Sequence, residues 1–257
     1  MIEENFKVSI ERIPNAEDKN SSPFVAVLLP TYCEAKNIED LVREIQELKL
    51  NLAIVVIDDS SPDGTADLIK KLQKKYDNIN IFVRPEKLGL GTAISTGFKH
   101  VLSSLPKKPD YIVTMDADYS HDPKDIPRLI KMAEKGYDLV IGSRYCKEGK
   151  IVGWHWTRWL ISHFANFIAS KAIRTRVQDC TSGLRCYSLK YIKAVIGSLH
   201  SQTYEIQIET IRQARNKGFS IREIPITFAN RKHGKSKLTN VEIRSFLFYI
   251  VKSLVNP

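Results

Sequence analysis

The segment YIVTMDADYSHDP, residues 111–123, runs from an apolar stretch straight into three carboxylates, Asp116, Asp118 and Asp122. Like charges that close repel, and burial sharpens the repulsion, so a positive partner is expected beside them. Asp116 and Asp118 lie two residues apart, and in extended backbone both side chains project to the same side. Paired hard oxygens suit Mg2+ or Mn2+, above all a cation that also holds a diphosphate. A purely local reading, an Asx turn with a helix cap, fits Asp122 better, because Pro123 and a helical pattern follow it.

Other segments carry chemistry of the same kind. In DDSSPDGT, Asp59 can accept hydrogen bonds from a base or a ribose, whereas Asp63-Gly64 reads as a turn and Ser60 or Ser61 as a capping group. PTYCE supplies Glu34 and Tyr32, whose ring can stack on a base or pack into the core. KLGLGT is not a dinucleotide loop, since Gly89 and Gly91 are followed by Ile94 where a third glycine belongs; it reads as a strand-to-helix turn. RKHGKSK, residues 231–237, sets Arg231, Lys232, Lys235 and Lys237 around Gly234, a pattern for clamping phosphates or for a solvated charge run. WHWTRWLISHFANFIASKAI, residues 154–173, interleaves Trp and Phe with Arg158, His163 and Lys171, as either a lipid-interface helix or a buried one.

The elements that must position these groups alternate. Short apolar runs at 24–29, 53–58, 79–83, 111–115 and 138–143 alternate with helical patterns at 37–49, 65–76, 92–104 and 125–135. Continuous apolar strands separated by amphipathic helices predict a mostly parallel central sheet with helices on both faces, an α/β fold. Ligands of such sheets bind beyond the carboxyl ends of the strands, where the polar segments above fall. After residue 150 the rhythm changes to mixed helices, one strand at 220–228 and a terminal helix from about 240.

The chain has 257 residues and a formal net charge of +10. Residues 1–130 hold 17 Lys and Arg against 21 Asp and Glu, whereas residues 131–257 hold 22 against 8. The second half is therefore the part to meet an anion, whether phosphorylated ligand, lipid surface or nucleic acid. Cys33, Cys146, Cys180 and Cys186 show no metal-finger spacing and are expected reduced. No run approaches the roughly 20 apolar residues needed to cross a bilayer, and no signal-peptide core is present.

Seven ordered motifs, LLPTYCEAKNI, VIDDSSPDGT, EKLGLGTA, MDADYSHDP, IGSRY, DCTSGLRCYS and RKHGKSKL, resemble those of inverting GT-A-fold glycosyltransferases. More narrowly, they are similar to the dolichol-phosphate mannosyltransferase family, over about residues 24–245. The resemblance implies a GT-A nucleotide-diphospho-sugar transferase fold, with a catalytic domain at 23–238 and an amphipathic helix at 239–257; the polar, charged residues 1–22 are expected to form a flexible extension. Within the catalytic domain, 23–145 is expected to bind nucleotide and 146–238 to face acceptor and membrane.

The resemblance also implies roles. Pro30, Tyr32 and Glu34 would contact guanine and ribose, with Ile57 and Asp59 closing that pocket. Asp116 and Asp118 would hold Mg2+ or Mn2+ and the donor diphosphate, with Ala117 between them. Ser120 stands where some relatives have Gln. Arg144 would reach a donor or acceptor phosphate and, with Asp118, is the expected catalytic pair; Arg231 and Lys237 would reach a phosphate as well. A Lys near the acceptor in some relatives is Glu205 here, so that contact is not assigned. The implied reaction moves mannose from GDP-mannose to dolichyl phosphate, for glycosylation and GPI-anchor pathways. It would occur on the cytosolic face of the endoplasmic reticulum, with peripheral membrane association, small membrane-anchoring subunits and no nucleic acid. Two rivals are a UDP-glucose-dependent dolichyl-phosphate glucosyltransferase and a non-enzymatic module that docks on anionic membranes.

Overall fold

The computed structural model describes residues 22–231 and 240–255. Its elements run β1 Val25–Thr31, α1 Ile38–Glu47, β2 Leu52–Asp58, α2 Thr65–Gln73, β3 Ile79–Val83, α3 Leu90–Ser104 and β4 Tyr111–Thr114. They continue with α4 Ile126–Ala133, β5 Leu139–Ser143, β6 Lys150–Ile151, α5 Trp156–Ala172, β7 Arg185–Ser188 and α6 Leu189–Val195. The last are α7 Ile206–Asn216, β8 Ile221–Pro225, β9 Thr227–Phe228 and α8 Asn240–Val255. Seven strands form one sheet in the order β3-β2-β1-β4-β7-β5-β8, and β6 pairs with β9 in a second, two-stranded sheet.

Alternation along the strands divides the core in two. Ala26, Leu28, Val55, Ile57 and Ile112 point to the face covered by α3, α5, α6, α7 and α8. Val25, Val27, Leu29, Ile54 and Val113 point to the face covered by α1, α2 and α4. Both faces are buried, which is why these strands read as unbroken apolar runs. On α1 the apolar residues Ile38, Leu41, Val42 and Ile45 recur at helical spacing and are all buried.

The sheet is mostly parallel, as expected, and β7 is the exception: it runs antiparallel to both neighbours, β4 and β5. Sequence periodicity does not reveal β7, because its four residues RCYS are too few and too polar to register as an apolar run. The single strand expected at 220–228 is two, β8 and β9, on different sheets. Pro225 ends β8 and brings no N–H to continue the ladder, and the chain crosses to β6 at that point.

Candidate active site

Register brings the reactive loops together. Leu28 pairs with Val55 on one side and Thr114 on the other, and Thr31 pairs with Asp58. The segments after β1, β2 and β4 thus emerge side by side at one edge and open a cleft. Pro30, Tyr32, Glu34 and Asp59 line it from the first two segments, and Asp116, Ala117 and Asp118 from the third. Arg231 closes the opposite wall with Tyr204 and with Glu242 of α8.

The acidic turn is built around Tyr119, a non-glycine residue at φ 62°, in the left-handed region. That turn folds Ser120 back so that its N–H donates to Asp118 Oδ1 at 3.0 Å, and its hydroxyl donates to the same oxygen. The Tyr119 hydroxyl donates to Glu44 Oε1 of α1 at 3.0 Å, fixing the tip of the turn. The other oxygen of Asp118, Oδ2, lies 2.8 Å from Arg231 Nε. Asp116 keeps 35% of its side chain exposed. A Cβ at position 183 would stand 2.9 Å from Asp116 Oδ1, so only glycine lets that backbone approach the carboxylate so closely. Asp122 is a cap as the sequence indicates: its Oδ1 accepts from Lys124 N at 2.9 Å.

The side of the cleft that follows β2 rests on a second ion pair. Arg84 Nε donates to Asp59 Oδ1 at 2.6 Å, and the same guanidinium donates to Thr92 Oγ1 at 2.7 Å and Gly89 O at 3.1 Å. Burial pushes the Asp59 carboxyl up, and the charge and hydrogen bond of Arg84 pull against it. Gly89 has φ 93°, and a Cβ there would stand 2.5 Å from Gln202 O, which explains the glycine of KLGLGT. Lys87 Nζ sits 4.6 Å from the centroid of the Tyr32 ring.

Arg144 is locked more tightly than the sequence suggests. Its Nε donates to Asp179 Oδ2 at 2.7 Å and its Nη2 to Asp179 Oδ1 at 2.6 Å, a two-pronged pair that is buried on both sides. Thr181 Oγ1 accepts a further bond from Arg144 at 2.6 Å, and Asn166 of α5 holds Thr181 in turn through a bond to Oγ1 at 3.1 Å. Burial alone would raise the Asp179 carboxyl; the charge and hydrogen bonds of Arg144 hold it below the usual range. Arg158 stacks over Trp154 at 4.0 Å, and burial and the nearby positive charges of Arg231 and Arg144 lower its affinity for a proton. Tyr204 is pushed up to about 12 by burial and by the negative charge of Asp116.

Of the expected site residues, Pro30, Tyr32, Glu34, Asp59, Asp116, Ala117, Asp118 and Arg231 line the cleft. Ile57 is fully buried in the core and Ser120 sits behind Asp118, so neither forms the wall. Arg144 stands outside the cleft lining, although it feels the negative charge of Asp116. Lys237 falls outside the described residues. Glu205 accepts from Gln202 N at 3.0 Å and Thr203 N at 3.1 Å at the start of α7, a local structural task. Sequence reasoning missed Arg84, Asp179 and Tyr204, and it placed Arg158 in the aromatic segment 154–173 rather than in the site. Of the missed three, only Asp179, inside DCTSGLRCYS, carried any signal.

Comparison with known proteins gives a consistent picture. A family model described as glycosyl transferase family 2 matches residues 26–196. The chain is 35% identical over 228 residues to polyprenol monophosphomannose synthase of Mycolicibacterium smegmatis, covering 88% of this chain and 85% of that one. It is 35% identical over 232 residues to dolichol-phosphate mannosyltransferase of Pyrococcus furiosus, covering 89% of this chain but 63% of that longer one. Among solved structures, glucosyl-3-phosphoglycerate synthase of Mycobacterium tuberculosis, in complex with Mn2+, UDP and glucosyl-3-phosphoglycerate, superposes with a TM-score of 0.65 at 17% identity, covering 91% of this chain and 79% of that one. That likeness is one of fold, and the fold is GT-A.

Proposed function

The chain belongs to glycosyl transferase family 2, and from that premise we propose that it transfers mannose from GDP-mannose to dolichyl, or another polyprenyl, phosphate with inversion. Mannosyl transfer to a polyprenyl phosphate is supported by the two relatives that match over most of the chain. The observation that carries the reading is a single cleft in which two strand-end carboxylates face a guanidinium wall.

Breaking the bond between the sugar and GDP leaves negative charge on a diphosphate, and catalysis requires that charge to be met. Asp116 and Asp118 fit a divalent cation: both are hard oxygen donors at one end of a strand, and Asp116 is open to the cleft. When bound, Mg2+ or Mn2+ supplies positive charge to the leaving diphosphate. Arg231 adds cationic charge from the protein side, and its bond to Asp118 positions that carboxylate. Ser120 orients the same carboxylate and serves the site without touching the nucleotide.

The acceptor is a phosphomonoester with a second pKa near about 6, so much of it is dianionic at neutral pH. Its oxygen bonds to the anomeric carbon as the bond from that carbon to GDP breaks, from the opposite face, giving a β-linked mannosyl phosphate from an α-linked donor. A strong general base is unnecessary, which accounts for a cleft whose described lining includes no histidine. Arg158 and Arg231 lie close enough to feel one another's charge, and they are the groups suited to the acceptor phosphate. Asp179 and Thr181 hold Arg144 behind them.

No helix among the described residues is long and apolar enough to cross a membrane. Yet α5 exposes Trp156, Trp159, Leu160, Ile161, Phe164 and Phe167, and α8, packed beside it, exposes Ile243, Leu247, Phe248, Val251 and Leu254. The α5 sequence contains no acidic residue. So large an apolar face supports peripheral docking on a bilayer. Glu242 lines the cleft next in sequence to exposed Ile243, so the docked face adjoins the place where a lipid phosphate would arrive. The cytosolic leaflet of the endoplasmic reticulum, with or without a small membrane-anchoring subunit, is the matching location.

Donor choice is tested by thermal unfolding with Mn2+ and either GDP or UDP, because a ligand raises the midpoint only if it binds the native state. A rise with GDP that exceeds the rise with UDP is expected. The reverse order contradicts the mannosyl donor and favours UDP-glucose.

A further inference from the structure

His121 closes the acidic turn, is only 1% exposed, and has no hydrogen-bond partner among the described residues at either ring nitrogen. Leaving such a group unpaired in the interior costs free energy that a phenylalanine or leucine in the same space would not incur. Packing alone does not call for an imidazole: its ring sits edge-on to Phe228, with centroids 5.1 Å apart, a contact any aromatic makes. The closest acidic group that the ring faces is Asp116. His121 Nδ1 lies 3.8 Å from Asp116 Oδ2, about 1 Å beyond hydrogen-bond length. Ser120 and Arg231 already hold both oxygens of the other carboxylate, Asp118. A Cβ at Gly183 would stand 2.9 Å from Asp116 Oδ1 and 3.0 Å from Oδ2, so the glycine lets the carboxylate sit close against that segment.

We propose that His121 is a positioning residue for the carboxylate pair, its Nδ1–H closing onto Asp116 Oδ2 to hold that carboxylate toward the cleft when a divalent cation is bound. Carboxylates that ligate metals are themselves commonly held by an outer hydrogen bond, and loss of that bond typically weakens metal binding by about 10- to 100-fold. This inference rests on the reading of Asp116 and Asp118 as the cation site.

The test measures Mn2+ affinity directly, by the loss of the free-ion electron paramagnetic resonance signal in the presence of GDP, with no turnover involved. His121→Phe keeps the ring and its packing but removes the N–H, and is expected to weaken Mn2+ binding at least about tenfold. His121→Asn places an amide N–H near the position of Nδ1 and is expected to stay within a few-fold of wild type. Equal Mn2+ affinity in wild type and a folded His121→Phe overturns the inference and leaves the cation site standing. Failure of the wild type to bind Mn2+ with GDP overturns both. Should His121→Phe not fold, the wild-type protein decides: Mg2+ and GDP together are expected to shift the His121 ring N–H resonance downfield, and an unmoved resonance refutes the contact.

Discussion

Asp118 shows how much one residue can owe to its neighbours. Its two oxygens are divided between a local turn and a cross-cleft guanidinium, so the carboxylate is oriented before any ligand arrives. Asp118→Asn keeps the shape and removes the charge; transfer is expected to fall about a hundredfold or more. Stability should change by no more than about 1 kcal/mol, since Arg231 is partly exposed. Paired activity and urea-unfolding measurements check both. Asp179→Asn should behave differently, because it strands the buried cation of Arg144, at a cost of about 3–5 kcal/mol near neutral pH. The folded carboxyl of Asp179 titrates below its unfolded value of about 3.9, so its stabilisation is present above that pH and is lost as pH falls through the lower, folded value. The stability gap between wild type and Asp179→Asn, followed by urea unfolding, should be flat above about pH 5 and shrink below pH 4. A gap that ignores pH would contradict the assignment. Asp116, Asp118, Asp59 and Tyr32 were legible from sequence because each follows an apolar run. The pairings were not, although Arg231 and Arg144 were themselves singled out. Arg84 and Asp59 are 25 positions apart and Arg144 and Asp179 are 35 apart, a separation that only the sheet's topology closes.

At the scale of elements, the five apolar runs at 24–29, 53–58, 79–83, 111–115 and 138–143 read correctly as strands, and for β1, β2, β4 and β5 burial on both faces leaves a strong, simple pattern. β7 escaped because its membership in the sheet is decided by neighbours that lie far off in sequence, residues 111–114 and 139–141. The segment 154–173 stood open between a buried and an interfacial helix. The fold decides how it is used: only Asn166, Ala169 and Ala172 of α5 are buried, while its aromatic residues face outward beside those of α8. If that face enters a bilayer, each aromatic contributes about 1.5–3 kcal/mol when fully buried. The double substitution Phe164→Asp with Phe248→Asp should then weaken sedimentation with anionic phospholipid vesicles roughly a hundredfold, with little change in the unfolding temperature. Undiminished sedimentation would assign the apolar face to a protein partner.

For the whole molecule, the uneven charge noted in the sequence acquires a place. The acidic first half supplies the strand-end carboxylates, and the basic second half supplies Arg158 and Arg231 opposite them. The carboxylates follow strands of the seven-stranded sheet, whereas Arg158 comes from α5 and Arg231 from the segment after β9 of the two-stranded sheet. What the sequence could not convey is this mutual geometry, because it depends on β7 inserting between β4 and β5 and carrying Asp179 and Thr181 to Arg144. The proposed reaction is direct transfer of mannose to a lipid phosphate at the Asp116–Asp118 end of the cleft. It is tested by incubating the protein with labelled GDP-mannose, Mn2+ and dolichyl phosphate, beside Asp118→Asn, and following label into the organic phase. A β-linked mannosyl phosphate lipid is expected from the wild type and almost none from the variant. Lipid-soluble product formed equally well by both, or an α-linked product, would contradict it.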